Sequence, residues 1–319
     1  MSRTRPLTPL ISLVVPVLNE ERCVAEFLER SSAALAQATP HFEIIMVDDG
    51  STDGTRKAIE SLREEHPELK AIHFTRNFGH QAALMAGLEF ATGDAVVTLD
   101  GDLQHPPEKI PEMIEAWKAG ADVVQCRRLD AGGHPHRVKD GTSQLFYKIM
   151  NSISTVQLAP AGADFRLIDR RVAEELKRLE EHFTFVRGLV PWMGFREAQI
   201  DYQVEERFAG ATKYSPFRMF ALAFDGIFSF SSFPLRLISL LGLFTTLFGI
   251  AFGIFWLVSY MLGHVEGSGW TSLVILVLIF GGVQLLSIGI ASEYIGRIYD
   301  EVKKRPRFIV ESTQGLDES

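Results

Sequence analysis

Basic residues are too few in this chain to suggest a nucleic-acid-binding surface. Lys and Arg number 32 against 40 Asp and Glu, which gives a formal net charge of −8 over 319 residues. Because surfaces that bind DNA or RNA are normally basic, this balance argues against a nucleic acid partner. Cysteine is scarce as well, and Cys23 and Cys126 cannot form a disulfide framework. Both thiols are expected to pack as small apolar residues in a reducing compartment.

Charged residues are absent from two long apolar stretches near the C-terminus. Residues 237–262 contain no Asp, Glu, Lys or Arg, and as a helix they would be about 39 Å long, more than the ~30 Å of a hydrocarbon core. Residues 271–292 would form a second helix of about 33 Å. The short glycine-rich segment 264–270 joins the two stretches, so the sequence predicts a transmembrane hairpin within 235–292. The alternative is a pair of buried core helices.

Lys and Arg flank this predicted hairpin at both outer ends. Arg218 and Arg236 precede it, five basic residues between 297 and 307 follow it, and the connecting segment has none. The positive-inside rule therefore predicts a multi-pass protein of the inner (plasma) membrane with both termini in the cytoplasm. Residues 1–214 would be a cytoplasmic head and residues 293–319 a cytoplasmic tail. Residues 215–234 are too apolar for an exposed helix, so they predict an interfacial amphipathic helix or, alternatively, a core helix of the head.

The first 130 residues alternate between short apolar strands and helical segments. Such alternation predicts an α/β domain with a mostly parallel sheet. Ligands of such sheets bind at the carboxyl ends of the strands. The dinucleotide motif G-x-G-x-x-G and the P-loop motif are both missing, which weakens dehydrogenase and P-loop interpretations. Strands are predicted at 11–16, 42–47, 69–75, 95–99 and 123–126.

Two carboxylates flank a glycine directly after the predicted fourth strand. Asp100 and Asp102 can point the same way on an extended turn, and Gly101 lets a ligand approach the backbone. Gln104 adds a third oxygen nearby. Three oxygen ligands suit Mg²⁺ or Mn²⁺, with waters and a substrate phosphate completing the octahedron. The alternative is an acidic turn that caps the next helix.

Four segments at strand ends combine into one pattern, namely Pro16–Glu20, Asp48–Thr55, Arg76–Gln81 and Asp100–Glu108. Together they resemble family 2 glycosyltransferases of GT-A fold. Further segments resemble the polyprenyl-phosphate branch, which includes bactoprenol glucosyltransferases and dolichol-phosphate mannose synthases. These are Gly162–Arg166, Phe185–Leu189, Arg207–Tyr214 and Glu293–Tyr299. The resemblance runs from about residue 10 to 310 and implies that residues 1–214 are a GT-A nucleotide-sugar-binding domain.

The resemblance implies a role for each residue at the strand ends. Asp100, Asp102 and Gln104 would hold the metal on the donor diphosphate, with Asp102 acting in catalysis through it. Asp164 would lie near the acceptor phosphate, where it either orients that phosphate or accepts a proton. The donor-binding residues would be Pro16, Asn19, Glu20, Asp48 and Asp100. The cations for the acceptor phosphate would be Arg127, Arg128, Lys139, Arg207 and Lys213.

The implied reaction is metal-dependent, inverting transfer of a hexose from a nucleotide sugar to a polyprenyl phosphate. UDP-glucose and undecaprenyl phosphate are the favoured pair, while GDP-mannose, UDP-galactose or an aminoarabinose donor would fit the same chain. Processive polysaccharide synthases of the same superfamily carry a Gln-x-x-Arg-Trp motif and more membrane spans. That function is disfavoured here, because no tryptophan follows an arginine and only one hairpin is visible. A non-catalytic membrane adaptor is the alternative from another class. Small residues in the apolar stretches would permit a homo-oligomer.

Overall fold

The computed structural model describes residues 5–129, 162–179, 181, 186–203, 233–262 and 269–316. Contacts divide these residues into two units. One is a head, which also contains residues 305–316 after the apolar segments. The other contains the two long apolar helices.

The described part of the head is built on one eight-stranded sheet in the order β7-β5-β6-β4-β1-β2-β3-β8. Four neighbouring pairs are parallel and three are antiparallel, so the sheet is mixed and mostly parallel, as predicted. Strand β1 is the clearest sequence signal, because its apolar run is buried from its second residue onward. The strands are β1 Leu10–Val17, β2 His41–Asp48, β3 Leu69–Phe74, β4 Ala95–Thr98, β5 Val123–Leu129, β6 Gly162–Asp169, β7 Glu197–Gln203 and β8 Val310–Gln314.

Helices connect the parallel strands and cover the sheet. Phe27 and Leu28 of the first helix and Trp117 of the fourth are buried in the main core against the apolar side chains of the strands. The helices of the head are α1 Val24–Ala38, α2 Thr55–Glu65, α3 His80–Phe90, α4 Ile110–Lys118, α5 Arg170–Arg178 and α6 Val186–Trp192.

Strand β6 runs against its neighbours, and this reversal shapes the site. It is antiparallel to both β4 and β5, with Thr98 opposite Arg166 and Ala95 opposite Asp169. The beginning of β6 therefore lies beside the carboxyl end of β4. Asp164, close to the start of β6, is thereby brought to the edge where Asp100 follows β4.

The segment predicted as a tail, residues 293–319, has two parts in the structure. A helix that begins before it continues to Val302, and β8 at 310–314 pairs antiparallel with β3. The sequence analysis predicted neither element. It ended the second helix at residue 292, where the uncharged stretch ends, and it missed β8 because Val-Glu-Ser-Thr-Gln is a short and mostly polar strand. The last strand of the head sheet is thus supplied from beyond the apolar helices.

The second unit contains helix α7, Phe233–Met261, and helix α8, Trp270–Val302. Two segments, Phe233–Met261 and Ile275–Val302, are long and apolar enough to cross a membrane by length and composition. Large apolar side chains on them are exposed, for example Phe244 at 68%, whereas comparable residues in the head core are at or near 0%. Such exposed apolar surface is typical of membrane association. The interfacial helix predicted at 215–234 lies almost entirely outside the described residues.

Candidate functional site

The carboxyl ends of β1, β2 and β4 and the beginning of β6 meet at one edge of the sheet. Most of the predicted donor and metal residues that the structure describes lie in the loops at this edge. Pro16 is buried within β1 and is paired in register with Val47 of β2. It therefore fixes the course of the chain just before the first loop.

The loops after β1 and β2 are joined by hydrogen bonds through the predicted donor residues. The backbone N–H of Asn19 donates to Ser51 Oγ at 2.9 Å, and Asn19 Oδ1 accepts from the Thr52 N–H at 2.8 Å. Asn19 has a positive φ of 57°, a conformation that asparagine tolerates better than most residues. The Glu20 N–H donates to Thr55 Oγ1 at 2.9 Å. These contacts form a continuous rim above two adjacent strands.

Asp48 lies beneath this rim and is almost fully buried. Its Oδ1 accepts from the Ser51 N–H at 2.9 Å, and its Oδ2 lies 3.1 Å from Nδ1 of the buried His73 on β3. Burial alone would raise the pKa of Asp48, but the hydrogen bonds from His73 and Ser51 lower it below its usual value. Asp48 therefore anchors the turn as a carboxylate. His73 is a partner that the sequence analysis missed.

The next carboxylate, Asp49, connects the β2 end to the loop after β3. It accepts hydrogen bonds from the N–H groups of Phe78, at 2.6 Å, and Gly79, at 2.9 Å. Gly50 has a φ of +72°, and a Cβ there would lie 2.5 Å from the backbone carbonyl carbon of Arg76. Only glycine fits this left-handed turn against another backbone.

Asp100 follows β4 and is held between two histidines. Its Oδ1 lies 2.8 Å from His80 Nε2, and its Oδ2 lies 3.7 Å from His105 Nε2. His105 is oriented in turn by Tyr202, whose hydroxyl is 2.7 Å from Nδ1. Burial would raise the pKa of Asp100, but the two histidines hold it well below its usual range. Asp100 is therefore ionised at neutral pH.

Asp102 and Gln104 contact each other in the turn after β4. Asp102 Oδ1 accepts from the Gln104 N–H at 3.1 Å, and Oδ2 accepts from Gln104 Nε2 at 2.5 Å. Two carboxylates and an amide oxygen are the hard ligands that Mg²⁺ and Mn²⁺ prefer, so the donor chemistry of this turn fits such an ion. Within the described ranges, no group of three or more His, Cys, Asp and Glu side chains is arranged as a metal site. The three-residue ligand set stays a prediction.

Asp164 on β6 is 1% exposed and lies between two arginines. Arg187 donates from Nε at 3.0 Å and from Nη2 at 2.8 Å, one bond to each carboxylate oxygen, and Arg166 Nη2 donates to Oδ1 at 3.2 Å. His80 Nδ1 is 3.7 Å from Oδ2. Burial would raise the pKa of Asp164, but the arginines and His80 lower it overall. This carboxylate is therefore a poor proton acceptor.

Arg187 is a second residue of this site that sequence reasoning missed. The segment Phe185–Leu189 was noted only as part of a family resemblance, and no role was assigned to its arginine. The sequence offers one usable signal, a basic residue inside an otherwise apolar stretch from 185 to 192.

The predicted acceptor cations are mostly not described. Arg127 on β5 forms a two-pronged ion pair with Asp201 on β7, at 2.7 and 2.9 Å. The backbone of Arg128 belongs to β5, but its side chain lies outside the described part. The other three lie outside the described residues altogether, namely Lys139, Arg207 and Lys213.

Comparison with known proteins gives matches over most of the chain. The family model described as glycosyl transferase family 2 matches residues 12–177. A prophage-derived bactoprenol glucosyl transferase of Shigella flexneri is 41% identical over 303 residues, covering 95% of this chain and 98% of the relative. An uncharacterized glycosyltransferase of Bacillus subtilis, YkcC, is 42% identical over 311 residues, covering 96% and 94%.

Among solved structures, similarity is found to a mannosyltransferase from Pyrobaculum calidifontis in complex with GDP-Man and Mn²⁺. The identity is 21%, the TM-score is 0.47, and the match covers 70% of this chain and 64% of the other.

Proposed function

Because the chain belongs to glycosyl transferase family 2, we propose that it transfers glucose from UDP-glucose to a polyprenyl phosphate with inversion. The acceptor class is supported by the bactoprenol glucosyl transferases, to which the chain is about 40% identical over nearly the full length of both. The exposed apolar helices α7 and α8 suit an enzyme whose acceptor tail lies in a bilayer. We assign undecaprenyl phosphate as the natural acceptor, with the head and both termini on the cytoplasmic side.

The observation that carries this proposal is a connected set of side chains at the carboxyl edge of the sheet. Arg187 contacts Asp164, His80 lies between Asp164 and Asp100, and Asp100 follows the same strand as Asp102. The carboxylate proposed for the donor and the ion pair proposed for the acceptor therefore belong to one network. Transfer between two phosphorylated substrates requires this proximity.

On the donor side, Pro16, Asn19, Glu20 and Asp48 would line the nucleotide pocket. Asp100, Asp102 and Gln104 would bind Mg²⁺ or Mn²⁺ on the diphosphate. Such an ion neutralises the charge that develops on a leaving nucleoside diphosphate and orients it. Asp100 is ionised, so it could ligate such an ion without prior loss of a proton.

On the acceptor side, the lipid phosphate is already anionic near neutral pH. It can attack the anomeric carbon without a strong base, provided that cations reduce the repulsion between the two phosphorylated substrates. Arg127, Arg128, Lys139, Arg207 and Lys213 remain the proposed cations for this task. They combine planar guanidinium groups with compact ammonium charges, and both bind phosphate oxygens.

The test is transfer of radiolabelled glucose from UDP-glucose to undecaprenyl phosphate by the detergent-solubilised enzyme with Mn²⁺. The wild type should yield a lipid-extractable product. Asp102→Ala should lower the rate at least about 100-fold, since a bound metal contributes several kcal/mol to the transition state. Asp94→Ala, at the opposite edge of the sheet, is the matched control and should remain active.

Label found only as free sugar or polymer would contradict a lipid acceptor. Full activity of Asp102→Ala with added metal would contradict the metal assignment. Thermal stabilisation by a panel of nucleotide sugars with Mn²⁺ then tests the donor, because ligands that bind only the folded state raise its stability. If GDP-mannose or an aminoarabinose nucleotide stabilised the protein more than UDP-glucose did, the transferred sugar would be mannose or aminoarabinose and not glucose.

A further inference from the structure

Arg187 and Asp164 differ sharply in their exposure to solvent. The Asp164 side chain is 1% exposed, whereas that of Arg187 is 43% exposed. Both carboxylate oxygens accept hydrogen bonds from the guanidinium of Arg187, in the planar two-pronged geometry that gives the strongest and most directional ion pairs. The Asp164 carboxylate is therefore buried inside the head, while the Arg187 guanidinium that it binds is partly exposed to solvent.

The backbone that carries Arg187 is fixed as well. The Val186 N–H donates to Gln81 Oε1 at 3.0 Å, and the Val186 carbonyl accepts from Arg166 Nη1 at 3.4 Å. The apolar residues Val186, Leu189 and Val190 of helix α6 are buried. A cation fixed at its backbone and at its guanidinium loses little conformational freedom when it binds a ligand.

The position of the pair in the sheet indicates which substrate it meets. The predicted nucleotide residues lie at the ends of β1 and β2, the Asp100 turn follows β4, and Asp164 lies on β6, beyond β4 from β1. A donor with its base over β1 and β2 and its diphosphate at Asp100 would direct its sugar toward β6. An incoming phosphate would then reach the anomeric carbon on the Arg187 side.

We propose that Arg187 binds the attacking phosphate of the lipid acceptor, and that Asp164 is a positioning residue that holds Arg187 in place. This inference rests on the proposed function. An acceptor phosphate oxygen forms the new bond to the anomeric carbon, the bond to the nucleoside diphosphate breaks, and its electron pair leaves with the diphosphate. No proton is transferred in this step, so Asp164 does not act as a base.

The experiment compares Arg187→Gln and Arg187→Lys with the wild type in full-length, detergent-solubilised enzyme. UDP-glucose with Mn²⁺ is the donor and undecaprenyl phosphate in detergent micelles is the acceptor. Arg187→Gln should raise the acceptor KM about 10- to 100-fold, the range expected for a lost charged hydrogen bond. Arg187→Lys keeps the charge and should raise it less. The donor KM should stay within about twofold in both variants.

Arg196→Gln is the matched control, because Arg196 is an exposed arginine at the opposite edge of the sheet, just before β7. It should leave both KM values unchanged.

Asp164→Asn should also raise the acceptor KM. The double variant should have an acceptor KM little higher than that of Arg187→Gln alone, because the two residues act as one unit. A base would behave differently, since its loss would lower kcat while the acceptor KM stayed normal.

An unchanged acceptor KM in Arg187→Gln, or an increase in the donor KM in its place, would overturn the assignment of Arg187. Full additivity of the Asp164 and Arg187 effects would overturn the positioning role. Absence of lipid-linked label with the wild type would overturn the proposed function and this assignment with it. Thermal unfolding of each variant shows whether a loss of folding explains a low rate.

Discussion

Each edge of the head sheet has acidic groups that are at least partly buried, but they are partnered in different ways. At the amino edge, Glu43 is 4% exposed and accepts hydrogen bonds from Ser12 Oγ at 2.5 Å, Lys70 Nζ at 2.5 Å and the Thr92 N–H at 2.7 Å. At the carboxyl edge, Asp100 is 28% exposed and contacts His80 and His105. Asp102 is bound by Gln104 of its own turn.

The difference fits two roles for one side-chain type, a structural role at Glu43 and the proposed binding role at Asp100 and Asp102. The partners of Glu43 come from β1, β3 and the segment before β4, so this carboxylate joins separate parts of the chain and has no room for a ligand. The partner of Asp102 is local, and 28% of the Asp100 side chain is exposed. A cation could replace the Gln104 contact of Asp102 without disrupting the sheet. We therefore expect the amino edge to determine stability and the carboxyl edge to determine activity.

The largest effect on stability is expected for Glu43→Gln. It removes the charge opposite Lys70 in a buried network, and breaking such a pair typically lowers the free energy of unfolding by about 3 kcal/mol. Denaturant unfolding measures the loss. Activity per folded molecule should remain at the wild-type level, in contrast to Asp102→Ala. Equal loss of activity in the two variants would remove the distinction between the edges.

A smaller effect is expected for Gly50→Ala, at the carboxyl edge. The new Cβ would meet the backbone of Arg76 and Asn77 at a φ of +72°, so the loop after β3 must shift at a cost of about 2 kcal/mol. Gly54→Ala is the matched control, because the atoms nearest to its Cβ would belong to the movable carboxylate of Glu21 and not to a backbone. Thermal unfolding should show that the control loses less than about 1 kcal/mol in its free energy of unfolding. An equal loss in both variants would contradict this account of Gly50.

The smallest expected effect is a change with acid pH in the stability difference between wild type and Glu43→Gln. Burial would raise the pKa of Glu43, but hydrogen bonds from Lys70, Ser12 and Thr92 lower it below its usual value of about 4.3. A depressed pKa in the folded state stabilises the protein above the unfolded pKa, and this contribution is lost as the pH falls through the folded pKa. The stability difference between wild type and Glu43→Gln should therefore be constant above about pH 5 and narrow below it. A difference that widens in acid would contradict the role of Glu43.

The sequence by itself determined the elements with a strong local pattern. The apolar runs of β1, β2 and β4 predict strands because alternating or continuous burial is visible over a few residues. The uncharged stretches of α7 and α8 predict long apolar helices for the same reason. The carboxylates of Asp100 and Asp102 could be predicted as a candidate ligand pair because only Gly101 separates them.

Only the tertiary structure decided which distant residues meet. Strand β8 joins β3 from more than 230 residues away along the chain, and its short polar sequence carries no pattern that names its partner. Arg187 meets Asp164 because β6 lies beside β4 and the first residue of α6, Val186, is hydrogen-bonded to Gln81 of α3. His80, at the start of α3, meets Asp100 after β4. Local periodicity reports burial and secondary structure, whereas such pairs depend on strand order and direction, which are properties of the whole fold.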